Sequence, residues 1–367
     1  MDLFAAGVAD MDFHVAPCIT EAMHNRAAHG VFGYETVPDG LMPALIGWLS
    51  KRHGWSVDPD HLLRAPNVLN ALAMAANLFT KPGDGIIVQP PVFFDFADII
   101  AENDRKPVEN PLILQDGRYE MDFDGLEVAA RDPRTRMIFL CNPHNPVGRV
   151  WPRDALLRLG DICRRNDVLV VSDEIHADLT FPGHPYTPFA SLSEADARNS
   201  ITCLSPAKTF NIAACCFAFT VVPDATRRAA FRAENSRLTV NKNNAFASVA
   251  MEAAYTGGGP WLDAVLDYLQ GNLDLLRTRL GDLPEVDLIA PEGTFLVWLD
   301  FRALGLAPDD LTAFLRQDAG WGLTRGIAFG QQGAGFGRLN IACRRASLSN
   351  ALTRLHHAIR ARHQRTK

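Results

Sequence analysis

Lysine is scarce in this chain: Lys51, Lys81, Lys106, Lys208, Lys242 and Lys367 are its only lysines, and arginine carries most of the positive charge. The net charge of −6 gives no electrostatic case for a nucleic-acid or anionic-membrane partner. No apolar run approaches the ~20 residues needed to cross a bilayer. The opening Met1-Asp2-Leu3-Phe4 shows no basic segment followed by an apolar one, so no secretory signal is read and a cytoplasmic location is expected. The cysteines (Cys18, Cys141, Cys163, Cys203, Cys215, Cys216 and Cys343) are scattered without a CxxC pair. That pattern fits neither a disulfide framework nor a zinc knuckle and implies buried thiols in a reducing compartment. No HExxH or comparable metal spacing occurs; His176 and His184 with Asp178 read as separate polar residues. GxxxxGK[ST] is also missing, which excludes a P-loop nucleotide site. Gly333-Ala334-Gly335-Phe336-Gly337 precedes a strand pattern rather than a helix and so is no dinucleotide fingerprint.

What remains is an ordinary globular composition, 47% hydrophobic and 21% charged over 367 residues, enough for one large or two moderate domains. Short apolar runs at Gly85–Gln89, Met137–Asn142, Val168–Ser172, Ser200–Leu204 and Phe217–Val222 read as strands. Amphipathic stretches at Pro91–Ala101, Pro152–Asn166 and Ala225–Arg237 read as helices between them. This alternation predicts an α/β fold with a mainly parallel sheet covered on both faces. The last third changes character. A helix near Trp261–Leu280 is followed by a strand near Phe295–Phe301, a helix near Asp309–Asp318, a strand near Phe336–Cys343 and a helix from Ser347. The expected division is a large domain over 38–264 and a smaller α+β domain built from 1–37 and 265–367.

Three segments carry candidate chemistry. In Leu204-Ser205-Pro206-Ala207-Lys208-Thr209-Phe210-Asn211, a lysine follows an apolar strand into a loop. Schiff-base chemistry needs an amine whose pKa its surroundings can lower, which lysine offers and arginine does not. Ser205 can offer its hydroxyl to a phosphate oxygen. In Val168-Leu169-Val170-Val171-Ser172-Asp173-Glu174-Ile175-His176, a carboxylate ends a buried strand, where open α/β sheets place ligand-binding groups. Such a carboxylate also suits a Walker-B strand, but without a P-loop that reading fails. A carboxylate here can instead pair with a protonated pyridine nitrogen. In Cys141-Asn142-Pro143-His144-Asn145-Pro146-Val147-Gly148, a plain turn competes with a ligand-binding role for Asn145.

These segments, in this order, resemble the pyridoxal-5′-phosphate (PLP)-dependent aminotransferase superfamily of the aspartate-aminotransferase fold. Val8-Ala9-Asp10-Met11-Asp12-Phe13, His29–Tyr34, Ser172–His176, Lys208–Asn211 and Gly337-Arg338-Leu339-Asn340 are similar to its bacterial cystathionine β-lyase, or C–S lyase, branch. The resemblance runs from about Val8 to Arg360. It implies a large PLP-binding domain with a mainly parallel seven-stranded sheet. It further implies Lys208 as the catalytic lysine that holds the cofactor, Asp173 as partner of the pyridine nitrogen and Asn145 as partner of the 3′-oxygen. Ser205 and the backbone amides of Val68 and Leu69 match the phosphate cup, as a helix N-terminus suits an anion. Phe93 occupies the place of the ring-stacking residue, and His176 counts among the cofactor-binding residues. Arg338 matches the clamp on the substrate carboxylate, for which a bidentate guanidinium is suited. Asp12, Phe13 and Tyr34 would shape the side-chain pocket, with Tyr34 reaching the phosphate of a neighbouring subunit in a homodimer.

The chain departs from that pattern in places. Phe93 replaces the usual stacking tyrosine, Asn67 a usual Gly or Ser, and Ala207 a frequent second Ser. Gly7 takes the place of a common Trp, and Cys216 lies near where the superfamily has a phosphate-binding arginine. The implied reaction is α,β-elimination of a cysteine thioether (cystathionine or an S-conjugate) to thiol, pyruvate and ammonia. Transamination or another PLP-dependent lyase or decarboxylase reaction on the same scaffold is the alternative, and a non-catalytic regulatory module a further one.

Overall fold

The computed structural model describes residues 3–366. Its larger sheet contains β1 (Leu62–Ala65), β2 (Gly85–Val88), β3 (Lys106–Glu109), β4 (Thr135–Cys141), β5 (Leu169–Asp173), β6 (Ser200–Leu204) and β7 (Ala218–Val221). Their spatial order is β1-β7-β6-β5-β4-β2-β3. Neighbours pair in parallel except β7, which runs antiparallel to both β1 and β6. The expected seven-stranded, mainly parallel α/β sheet is therefore present. Helices cover both faces, so the central strands are buried along almost their whole length and mostly apolar rather than alternating. Ile86, Ile87, Met137–Leu140, Val170, Val171 and Ile201 are all buried.

Within these strands the buried polar side chains include small hydroxyls such as Ser172, Thr202 and Thr220, and a buried carboxylate stands at a strand end. Asp173 closes β5, in register with Cys141 of β4 and Cys203 of β6. It thus stands at the carboxyl edge of three adjacent parallel strands, where open α/β sheets bind ligands. Segments 142–149, 174–179 and 205–211 all leave from this edge.

A second, antiparallel sheet is built from β8 (Asp287–Ile289), β9 (Leu296–Asp300), β10 (Thr324–Arg325) and β11 (Phe336–Asn340), in the order β8-β9-β11-β10. Successive residues of a strand face opposite sides. On β11, Leu339 enters the core while Arg338 and Asn340 share the other face. The N-terminal segment touches both parts of the molecule. Phe4–Ala5 pairs with Trp321–Gly322 beside the second sheet, and helix Pro17–His29 packs along helix Ala245–Gly257, with Cys18 Sγ 3.5 Å from the Ala253 carbonyl.

Two differences from the sequence expectation have clear causes. The helix expected from Pro91 begins at Asp95. Pro90 and Pro91 lie in a bend and supply no backbone N–H, and the Val92 N–H donates to the Phe329 carbonyl (3.1 Å) rather than to a helical turn. Strands β1 and β3 escaped detection: β3, Lys106-Pro107-Val108-Glu109, is a mostly exposed edge strand with charged ends, so it lacks an apolar run. Among the described residues, no helix is long and apolar enough to cross a membrane.

Candidate active site

At the carboxyl edge lies a cleft of about 270 Å³ open to water-sized molecules. Asn67, Val68, Leu69, Phe93, Asn145, Asp173, His176, Ser205 and Lys208 all contribute to its wall. One end is the N-terminus of helix Val68–Phe79. The extended Asn67 caps it, its Oδ1 accepting from the Asn70 N–H at 2.7 Å. The N–H groups of Val68 and Leu69, in the first turn, have no intrahelical acceptor and present the positive end of the helix dipole to the cleft. Ser205 caps the short helix Pro206–Thr209: its hydroxyl accepts from Ala207 N–H (3.2 Å) and donates to the Phe217 carbonyl (2.7 Å).

That short helix carries Lys208. Its Nζ donates to the Ala9 carbonyl at 2.6 Å. Burial and the nearby Arg338 cation lower its pKa, against the opposing pull of Asp10 and Asp173. An amine more easily freed of its proton is more available as a nucleophile and base near neutral pH. Asp173 is 5% exposed, and burial pushes its carboxyl up to about 6, although the Ile175 N–H (3.1 Å) and Lys208 favour the anion. A cation placed against Asp173 would restore the carboxylate.

Arg338 is 4% exposed. Its Nη1 donates to Asn145 Oδ1 (3.0 Å) and its Nη2 to the Gly7 carbonyl (2.7 Å), while its Nε is buried without an acceptor. Among the described residues no carboxylate forms a salt bridge with Arg338, and burial brings its pKa down to about 10. A buried guanidinium with an unused donor and no counter-ion is suited to a carboxylate from solution. His176 feels both cations: burial, Lys208 and Arg338 push its pKa down to about 3, so the imidazole is neutral at physiological pH. Its Nδ1 has no protein partner.

The other sequence candidates divide. Phe93 lines the cleft and packs edge-on to Phe96 at 6.0 Å. Phe13 packs edge-on to Tyr268 (5.4 Å), and Asp12 is exposed, its N–H bonded to the Ala342 carbonyl. Tyr34 is fully exposed and outside the cleft wall of this subunit. Cys216 does line the cleft, at a left-handed backbone position (φ 48°). Two residues within the quoted motifs were given no role from sequence, yet they hold the segment over the cleft. Asn340 Nδ2 donates to the Val8 and Asp10 carbonyls. Asn211 accepts from Met11 N–H and donates to the Met11 and Phe13 carbonyls. Their position in Lys208–Asn211 and Gly337–Asn340 was the available signal; their partners lie about 200 and 330 residues away.

Next to Asp173, Glu174 is enclosed by donors: Ser172 Oγ (2.7 Å), Phe189 N–H (3.0 Å) and Tyr186 Oη. Burial still pushes its carboxyl up to about 7. The folded protein then keeps a proton that the unfolded chain releases near pH 4.5, so this group's favourable contribution is lost as pH rises through 7. Glu174→Gln should gain about 3 kcal/mol relative to the parent protein between pH 4.5 and pH 8, read from urea unfolding curves. A difference independent of pH would show that Glu174 stays ionised in the fold.

A lysine amine, a buried carboxylate, a helix N-terminus and an unpaired arginine are the donor set that an aldehyde-bearing pyridine phosphate and an amino-acid carboxylate require. Residues 3–355 match the family model "Aminotransferase class I and II", and the chain belongs to this family. It is similar to cystathionine beta-lyase PatB of Bacillus subtilis, 44% identical over 98% of this chain and 93% of that protein. Among solved structures it resembles cystalysin from Treponema denticola, described as containing pyridoxal 5′-phosphate (32% identity, TM-score 0.94, covering 98% of this chain and 91% of that one). It also resembles the PLP-bound C–S lyase from Staphylococcus hominis (29% identity, TM-score 0.90, covering 97% and 93%).

Proposed function

We propose that this protein is a PLP-dependent C–S β-lyase that cleaves an S-substituted cysteine, such as cystathionine or a cysteine S-conjugate, into thiol, pyruvate and ammonia. The observation that carries the reading is that Lys208 and Asp173 line one cleft while Arg338, which pairs with no carboxylate among the described residues, is hydrogen-bonded to Asn145 in its wall. Bound there, PLP supplies an electron sink for the negative charge that develops at the substrate Cα. Asp173 would pair with the ring nitrogen and favour its protonated form. The N–H groups of Val68 and Leu69 would hold the phosphate, joined by the Ser205 hydroxyl once it turns from the Phe217 carbonyl, and Phe93 would stack against the ring. His176, neutral, would offer a hydrogen-bonding edge to the cofactor.

Arg338 and Asn145 hold the substrate carboxylate and thereby fix which Cα bond lies across the ring plane. Lys208, which would hold the cofactor, is also the base that would take the Cα proton. The thiolate then leaves from Cβ. The segment Gly7–Phe13, tied down by Asn211 and Asn340, covers the cleft and limits water entry. Asp12 and Phe13 lie on this segment outside the cleft wall and would meet only the far end of a substrate side chain.

We place the working enzyme in the cytoplasm as a homodimer, with Tyr34 serving the partner's site and the domains divided at about residues 37 and 264. Supporting the dimer, Val31, Phe32, Tyr34 and Phe246 are all exposed, and Phe32 stacks on Phe246 at 5.6 Å. Given L-cystathionine or an S-alkylcysteine, the purified holoenzyme should release pyruvate, thiol and ammonia with no keto acid added. Turnover only in the presence of a keto-acid acceptor would sink the lyase reading in favour of transamination.

A further inference from the structure

Asp173 and Lys208 reach the cleft on separate segments, and one buried side chain ties these segments together behind it. Asp178 lies in the turn that continues from β5, five residues beyond Asp173. Its Oδ2 accepts from the Thr209 hydroxyl at 2.8 Å, and Thr209 directly follows Lys208. Its Oδ1 accepts from Trp48 Nε1 (2.9 Å) and lies 2.8 Å from His53 Nε2, both on helix Leu41–His53. The same helix walls in the next residue of the lysine segment, with Trp48 edge-on to Phe210 at 5.4 Å. Thr209 and Phe210 are fully buried, and Asp178 nearly so. Burial opposes ionisation of Asp178, but the donors from His53, Thr209 and Trp48 outweigh it and keep its carboxyl below the usual range.

We propose that Asp178 is a positioning residue: through the Thr209 hydroxyl it sets the distance and angle between Lys208 and Asp173, the two groups that hold opposite ends of the cofactor ring. Neither Asp178 nor Thr209 lines the cleft, so neither touches the reacting atoms. A donor–acceptor bond with fixed geometry on each side removes the freedom of the short helix Pro206–Thr209 to rotate about its own axis. The proposal rests on the PLP reading above.

Thr209→Val keeps the shape and deletes the donor; Thr209→Ser keeps the donor and deletes a methyl. For Thr209→Val, kcat should fall about 10- to 100-fold with KM little changed, as expected for misplacement of a catalytic group. The visible circular-dichroism band of the lysine-bound cofactor should shrink in parallel, without substrate present. Thr209→Ser should restore both. Parent-like kcat and dichroism in Thr209→Val would overturn the proposal, as would a Thr209→Ser variant no better than the valine. If Thr209→Val does not fold, Asp178→Asn is judged by the same two readouts, with parent-like values again overturning it. A parent protein that binds no PLP at all sinks the cofactor reading instead, so the two failures are distinguishable.

Discussion

Lys208→Ala should release pyruvate from an S-substituted cysteine at least about 10³-fold more slowly than the parent enzyme, since both the covalent attachment and the general base are removed. The visible absorbance of lysine-bound cofactor should vanish, and borohydride should no longer fix the cofactor to the chain. The amine is already prepared for this work: it is buried, next to the Arg338 cation, and its pKa is lowered. Folding should be little disturbed, because among the described residues the hydrogen bond given up is that to the Ala9 carbonyl. The segment carrying Ala9 stays attached through Asn340 to Val8 and Asp10 and through Asn211 to Met11. Retention of substantial pyruvate release by Lys208→Ala would place the base elsewhere. His176 could then be tested next, although an imidazole pushed down to about 3 is a poor base.

The second large effect is expected at Arg338. Arg338→Lys should raise KM for cystathionine and lower kcat/KM about 10²- to 10³-fold, because an ammonium cannot reproduce the two-pronged contact of a guanidinium with a carboxylate. The loss should be much smaller for cysteamine-type thioethers, which lack the carboxylate. Asn145 accepts from Arg338 Nη1, so the variant also loosens Asn145. A KM unchanged from the parent would assign the carboxylate to another site. The variant keeps the charge, so the loss reports the geometry of the guanidinium; the attraction of a buried cation without a carboxylate partner among the described residues for an incoming carboxylate remains.

Much of the fold and part of the site were legible before any coordinates. A parallel strand buried on both faces is mostly apolar, so β2, β4, β5 and β6 announced themselves, and a carboxylate ending such a run stood out as Asp173. Lys208 stood out because lysine is rare in this chain and this one follows a strand. Phe93 was also legible as a cleft residue, although Pro90 and Pro91 delay the helix that was expected to carry it.

Other features left no local trace. Nothing near Asp178 indicates that Thr209, 31 residues on, and Trp48, 130 residues back, meet on its carboxylate. Nor does the sequence reveal that Ala9 caps Lys208 across 199 residues, or that Glu174, beside Asp173, is walled in by Tyr186. Residue types and strand periodicity determined which groups are available and where the chain turns, because those depend on local sterics and on burial of one face or both. Which carbonyl each amine meets, which carboxylates lose water, and therefore which way each pKa moves were decided only by tertiary packing. Desolvation and hydrogen bonding depend on neighbours brought from distant parts of the chain.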